Sequence, residues 1–170
     1  MKKALGNAEF IITEFTRFVE LNNPWGTARP DLYQHSNLTA YDGLPFFYAD
    51  FETGDFKKAE IIFTSLGCCD IYINGERIGT GEMKPGWTDY NKRVLYMSND
   101  ITEKTIPGKN RILAVVSPGW YCGRIAGGIY GNKTPSFAAR ILIDGEDHRF
   151  ILLFIEHHDG VQIGDIRKIL

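Results

Sequence analysis

The chain has 170 residues, 44% of them hydrophobic and 24% charged, with a formal net charge of −2. That length suits one domain with a sizeable core, and the composition is that of an ordinary globular protein. The near-neutral balance leaves no electrostatic case for nucleic acid or an anionic membrane surface, and no apolar run approaches the roughly 18 residues of a membrane-spanning helix.

In chain order, Met1-Lys2-Lys3 resembles the start of a leader, but Asn7, Glu9 and Glu14 interrupt any apolar stretch, so no signal peptide is expected. Glu9 to Val19 is the best helical candidate, although its Thr and Phe residues suit a strand as well. Pro24, Gly26, Pro30, Gly43 and Pro45 punctuate residues 22–45, which predicts a long irregular arm. Residues 1–45 are therefore expected as an N-terminal strand or helix followed by an irregular arm, and 46–170 as the folded module.

From there the pattern is β. Lys58–Ser65, Cys69–Ile73, Arg93–Met97, Ile112–Val116, Phe137–Ile143 and His148–Ile155 are rich in β-branched and aromatic residues and read as strands. Asn74-Gly75 predicts a type I′ hairpin, because both central residues of that turn need positive φ. Asp144-Gly145 carries the same signal. Ile112 to Val116 is apolar on both faces, as expected of an inner strand. Short strands separated by Gly and Pro turns predict an all-β fold, a jelly-roll β-sandwich of antiparallel strands behind a long irregular N-terminal arm. The chain has three cysteines, an odd number, and Cys68 and Cys69 are strand neighbours that point to opposite faces. A reduced, cytoplasmic protein is the expected setting.

Chemistry concentrates between Tyr72 and Arg124. Tyr72-Ile73-Asn74-Gly75 runs into Lys84-Pro85-Gly86-Trp87-Thr88-Asp89-Tyr90, and Pro118-Gly119-Trp120-Tyr121-Cys122-Gly123-Arg124 closes the stretch. Trp87 and Trp120 each follow a glycine in a loop, where a large ring is harder to explain as core filling. An indole covers the C–H face of a pyranose and expels water, while the hydroxyl rim needs paired donors and acceptors. Asp89 is suited to accept from two neighbouring hydroxyls and Arg124 to donate in a fork. Each residue has a structural reading too. The tryptophans can cap the edge of the sandwich, Asp89 can bond its own backbone in a turn, and Arg124 can pair with a carboxylate or stack on Trp120.

The run Tyr72-Ile73-Asn74-Gly75, Gly79 and Pro85-Gly86-Trp87-Thr88-Asp89-Tyr90 resembles the N-terminal module of bacterial α-L-rhamnosidases. Arg93-Val94-Leu95-Tyr96, Asp100-Ile101-Thr102, Gly108-Lys109-Asn110, Gly119-Trp120-Tyr121, Gly123-Arg124 and Tyr130-Gly131 agree, so the resemblance covers roughly residues 46–142. Asn-Gly, Asp-Ile-Thr and Gly-x-Asn recur in sandwich modules of other glycosidases; the two tryptophan motifs select this family. The resemblance implies an accessory jelly-roll module that assists substrate recognition, with no catalytic residue of its own. The family's inverting carboxylates lie on a separate (α/α)-barrel, which becomes the expected partner alongside a rhamnose-containing oligosaccharide or glycoside. The implied ligand-binding set is Trp87, Asp89, Tyr90, Trp120, Tyr121, Arg124, Tyr130 and Asn132. Some related modules bind L-rhamnose near a calcium ion; here no cofactor is expected other than calcium on backbone carbonyls and Asp or Asn oxygens, an alternative for which the sequence locates no site. Two departures stand out: Pro118 occupies a position that is often acidic in the family, and Cys68-Cys69 replaces a commonly aromatic pair.

Other constellations carry less. His157-His158-Asp159 would face opposite sides of a strand, and no second cluster adds metal ligands. No carboxylate pair is singled out for hydrolysis, and Cys68, Cys69 and Cys122 lack a His at a nucleophile spacing. Gly127 to Asn132 is glycine-rich but lacks the Lys and following helix of a phosphate loop. It reads as a mobile loop near the Trp120 motif. Phe150 to Ile155 is apolar on both faces, which would suit a docking surface.

Overall fold

The computed structural model describes residues 5–6, 8, 11–12, 18–21, 38–41, 45–121, 124–125, 128–129, 135–148, 150 and 153–155. Among them the strands are β1 Ile11–Ile12, β2 Phe18–Leu21, β3 Leu38–Tyr41, β4 Phe46–Thr53, β5 Ala59–Leu66, β6 Cys68–Ile73 and β7 Glu76–Arg77. They continue as β8 Met97–Asp100, β9 Gly108–Ser117, β10 Arg124–Ile125, β11 Gly128–Ile129, β12 Ser136–Ile143, β13 Glu146–His148 and β14 Leu153–Ile155.

Two five-stranded antiparallel sheets hold the core. One has the order β14-β4-β9-β6-β7; the other runs β1-β12-β5-β8, with β13 also paired to β12. The chain alternates between them: β4 lies in the first, β5 in the second, β6 and β7 in the first, β8 in the second, β9 in the first, β12 in the second. This is the alternation of a jelly roll, and the expected all-β sandwich is what forms.

The reason lies in the period of two. Phe47, Ala49 and Phe51 on β4, Ile71 and Ile73 on β6, and Ile112, Ala114 and Val116 on β9 point inward from one sheet. Ile61 and Phe63 on β5 and Phe137, Ala139 and Ile141 on β12 point inward from the other. Phe47 and Phe137 meet face to face across the gap, their ring centroids 6.0 Å apart. Leu113, on the opposite face of β9, is also buried, so this central strand is covered on both sides as its sequence suggests.

Both turn signals hold. Asn74 and Gly75 have φ of 49° and 87°, and Asp144 and Gly145 have 51° and 87°, each closing a two-residue hairpin. Asn74 is further pinned: its side chain donates to the Lys104 carbonyl and to Asn110 Oδ1, and accepts from the Arg111 N–H.

Several expectations change. Of the helix and strand alternatives open for Glu9–Val19, the strand is what forms where the stretch is described, as β1 and the start of β2. β1 joins the edge of β12, and β2 pairs with β3, which places one strand of a two-stranded ladder, Leu38–Tyr41, inside the 22–45 stretch expected to be irregular. Pairing between distant segments of the chain selects the strand alternative there. β4 was not anticipated; its Ala49, Asp50 and Glu52 lower strand propensity, yet Phe47, Ala49 and Phe51 alternate inward. The strand expected over Arg93–Met97 begins only at Met97, where pairing with Phe63 starts. Arg93 instead turns back to Thr88, and the Leu95 carbonyl accepts from the Thr64 hydroxyl. The run His148–Ile155 is split between sheets: His148 ends β13 beside β12, while Leu153–Ile155 pairs with β4. Phe150 packs against the core at the crossing. Gly128 and Ile129, in the stretch read as a mobile loop, form a short strand paired with β10.

Candidate functional site

Two loops meet at the rim where β5 turns into β6 at Gly67. One is the 78–96 connection from β7 to β8; the other is the turn that follows β9 at Pro118–Tyr121. They join through Tyr90 and Tyr121, whose rings touch edge to face with centroids 5.2 Å apart and planes at 75°. The two tryptophan motifs, distant in sequence, thus form one aromatic rim.

The second loop is set by a close approach. Gly119 has φ of 50°, and a β-carbon placed there would lie 2.7 Å from Cys68 Sγ and 2.8 Å from Cys68 N. Only glycine permits that contact. The Trp120 backbone amide bonds to the Cys68 sulfur, which partly offsets the burial that raises this thiol's pKa. Neighbouring Cys69 is more deeply buried, and its pKa is pushed up to about 12 by desolvation. Cys68 and Cys69 are both free thiols, and neither is activated.

The first loop is a folded-back ribbon. Asp89 makes the bend: its carbonyl accepts from the N–H groups of Lys92 and Arg93, and its Oδ1 from the Asn91 N–H at 3.2 Å. Residues 86–88 and 93–95 then run side by side, with Arg93 Nε donating to Thr88 Oγ1 at 2.9 Å and Gly86 lying against Leu95. Thr88 is buried and Trp87 stands outward, 53% exposed; Met83, Leu95 and Tyr96 of the same loop are exposed too. Trp120, Tyr90 and Tyr121 are half-buried. Asp89 therefore does act as a turn residue, and it also meets Lys92 Nζ at 3.3 Å. A carboxylate offers about four acceptor sites, so capacity remains.

Arg124 falls in β10, paired with Ile129 of β11; its backbone alone is described. Tyr130, Asn132, Cys122 and the His157-His158-Asp159 run lie outside the described residues. Among those described, no group of three or more His, Cys, Asp or Glu is placed to hold a metal ion, and no helix is long and apolar enough to cross a membrane.

Sequence reasoning missed the electrostatics beneath the first loop. Lys84 is 2% exposed. Its Nζ donates to the Ile78 carbonyl at 2.8 Å and lies 3.3 Å from Asp70 Oδ1. Arg77 donates to the same Asp70 oxygen from Nε and Nη2, at 3.0 and 2.7 Å, and spans both carboxylate oxygens of Glu82 at 3.0 Å. Those bonds hold the Glu82 carboxyl below its ordinary range and raise the Arg77 pKa further. The signal was present as alternating charges at Asp70, Arg77, Glu82 and Lys84, but only the hairpin brings them together.

A two-sheet antiparallel sandwich with one aromatic rim defines the class as a jelly-roll β-sandwich module. The family model for the α-L-rhamnosidase N-terminal domain matches residues 54–162. An α-L-rhamnosidase of Streptomyces avermitilis is 33% identical over 128 residues, covering 73% of this chain and 12% of that protein. Among solved structures, the α-L-rhamnosidase from Dictyoglumus thermophilum superposes with a TM-score of 0.63 at 27% identity, over 88% of this chain and 16% of that one. The Streptomyces avermitilis α-L-rhamnosidase complexed with L-rhamnose gives 0.55 at 31% identity, over 65% of this chain and 11% of that one. The chain belongs to the α-L-rhamnosidase N-terminal domain family, and it spans about an eighth of the length of the Streptomyces relative.

Proposed function

We propose that this chain is a non-catalytic accessory module of an α-L-rhamnosidase system, working in the cytoplasm beside a catalytic (α/α)-barrel and recognising rhamnose-containing glycans. The observation that carries the reading is Trp87, held outward on a braced ribbon at 53% exposure, three residues before Tyr90, whose ring meets Tyr121. An aromatic side chain offers about 150–250 Å² in all, so roughly 100 Å² of indole is open to a ligand. Covering it is worth about 2.5 kcal/mol. With a few hydrogen bonds from Asp89 and neighbours, that supports millimolar affinity, about −4 kcal/mol. The methyl group of L-rhamnose adds apolar surface worth about 0.8 kcal/mol.

Titrating L-rhamnose and a rhamnosyl disaccharide while following tryptophan fluorescence tests this. Saturable change is expected, abolished in Trp87→Ala, and no response at tens of millimolar ligand removes the binding role. The purified chain is expected to release no p-nitrophenol from an aryl rhamnoside.

A second reading treats the same rim as a docking face for the catalytic barrel. The exposed apolar Met83, Leu95 and Tyr96 favour it, since they exceed what one pyranose face needs. Under that reading Leu95→Ser and Tyr96→Ser weaken association with the barrel and leave rhamnose titrations of the isolated chain unchanged.

A further inference from the structure

Loops that present a ligand-facing ring need something to hold them, and 78–96 is anchored unusually. It spans nineteen positions without a named strand, yet its first part is fixed to the β6–β7 hairpin by alternating charges: Glu82 to Arg77, Arg77 to Asp70, Asp70 to Lys84. Both ends of that chain, Glu82 and Lys84, belong to the loop; both middle members belong to the hairpin. The residue between the two ends, Met83, is held at φ of 53°. An unbranched, non-glycine side chain in the left-handed region is strained, by about 1–2 kcal/mol, and persists where surrounding contacts over-determine it. Here the flanking ion pairs supply those contacts. The backbone contributes as well, since the Lys84 carbonyl accepts from the Cys69 N–H at 2.8 Å in an isolated bridge. Three residues later stands Trp87.

Lys84 is the distinctive member. An ammonium that loses nearly all its water must be repaid by paired, hydrogen-bonded neighbours. Ile78 and Asp70 do this only while Lys84 stays in its present place, so a small shift of the loop base weakens both contacts before water can reach the ammonium. A solvent-exposed ion pair would give way cheaply; this one does not.

We propose that the chain Glu82–Arg77–Asp70–Lys84 is a latch that fixes the Trp87 loop against the β6–β7 hairpin, with Lys84 as its positioning residue. The use of that loop for rhamnose rests on the function proposed above; the mechanical role does not. That role needs no contact of Lys84 or Asp70 with a ligand. They set where the indole stands.

Hydrogen exchange on the full chain separates the two ideas. Asp70→Asn removes the charge that sits between two cations, and Asp70→Glu preserves it. In Asp70→Asn the amides of residues 82–84 and 86–88 are expected to exchange about tenfold faster, while the β9 amides from Ile112 to Val116 keep their protection. Asp70→Glu is expected to restore most of the difference. Glu82→Gln, at the exposed end, is expected to give about a two- to threefold effect on the same amides. Unchanged exchange at 82–88 in Asp70→Asn, or an equal rise in β9, overturns the latch. If Asp70→Asn does not fold, Glu82→Gln decides alone, and no local change there overturns it. Affinity for methyl α-L-rhamnoside is expected to fall along with loop protection. A wild-type chain that ignores the sugar sinks the proposed function and leaves the exchange result to judge the latch.

Discussion

Replacing Gly119 by alanine strikes the joint between the two aromatic loops. Two costs add. The backbone at φ of 50° is disfavoured for a residue with a β-carbon, by about 1–2 kcal/mol. The new methyl group would also sit 2.7 Å from Cys68 Sγ, 2.8 Å from Cys68 N and 3.0 Å from the Gly67 carbonyl carbon. Two of those three atoms are backbone of the β5–β6 turn and cannot rotate away, so overpacking of about 1–3 kcal/mol follows. The sum, about 3 kcal/mol, corresponds to a fall in melting temperature of about 6–12 °C for a domain of this size. Gly145→Ala is the internal control: φ there is 87°, but nothing lies within 4 Å of the added carbon. Its φ is further from the left-handed minimum than that of Gly119, which biases the comparison against the expected result. Urea unfolding of both variants, read by circular dichroism, is the assay. A Gly119→Ala cost no larger than that of Gly145→Ala would refute the claim that backbone contact sets this turn. Cys68→Ala in the Gly119→Ala background is expected to recover only part of the loss, because it clears the sulfur and leaves both backbone atoms.

Two further outcomes follow from titratable groups. Burial keeps the Cys69 pKa near 12 and raises that of Cys68, so neither thiol supplies much thiolate near pH 8; the tryptic peptide carrying both is expected to stay unalkylated by iodoacetamide in the native protein and to react fully in urea, and rapid native labelling would contradict this. Asp50 is held below the ordinary aspartate value, about 3.9, chiefly by its hydrogen bonds to Arg111. A carboxyl with a lowered folded-state pKa stabilises above its unfolded pKa and loses that contribution as pH falls through the folded value. Asp50→Asn is therefore expected to flatten the stability profile below about pH 4. The exposed setting limits the effect to less than about 1 kcal/mol, measurable by urea titration at pH 3 and pH 7. An unchanged acid slope would show that the pair does not contribute.

Much of this molecule was written in local sequence. Asn74-Gly75 and Asp144-Gly145 dictate their turns because a left-handed backbone at two successive positions admits few residues, and that requirement is local. Ile112 to Val116 announced a strand covered on both faces through its unbroken apolar run. The rim tryptophans were visible as Gly-Trp pairs outside any strand pattern. What sequence could not supply was the meeting of separated segments. The apolar run from His148 to Ile155 divides between two sheets, because the sandwich has edges to fill at both β12 and β4. The stretch from Arg93 to Tyr96 has strand composition but spends its hydrogen bonds on Thr88 and Thr64. Glu82 and Lys84 look like surface charges until the hairpin brings Arg77 and Asp70 beneath them and burial makes the lysine costly to move. Backbone conformational preference acts between neighbours and is legible there, whereas desolvation and charge pairing depend on what lies alongside in space, and only the folded chain decides that.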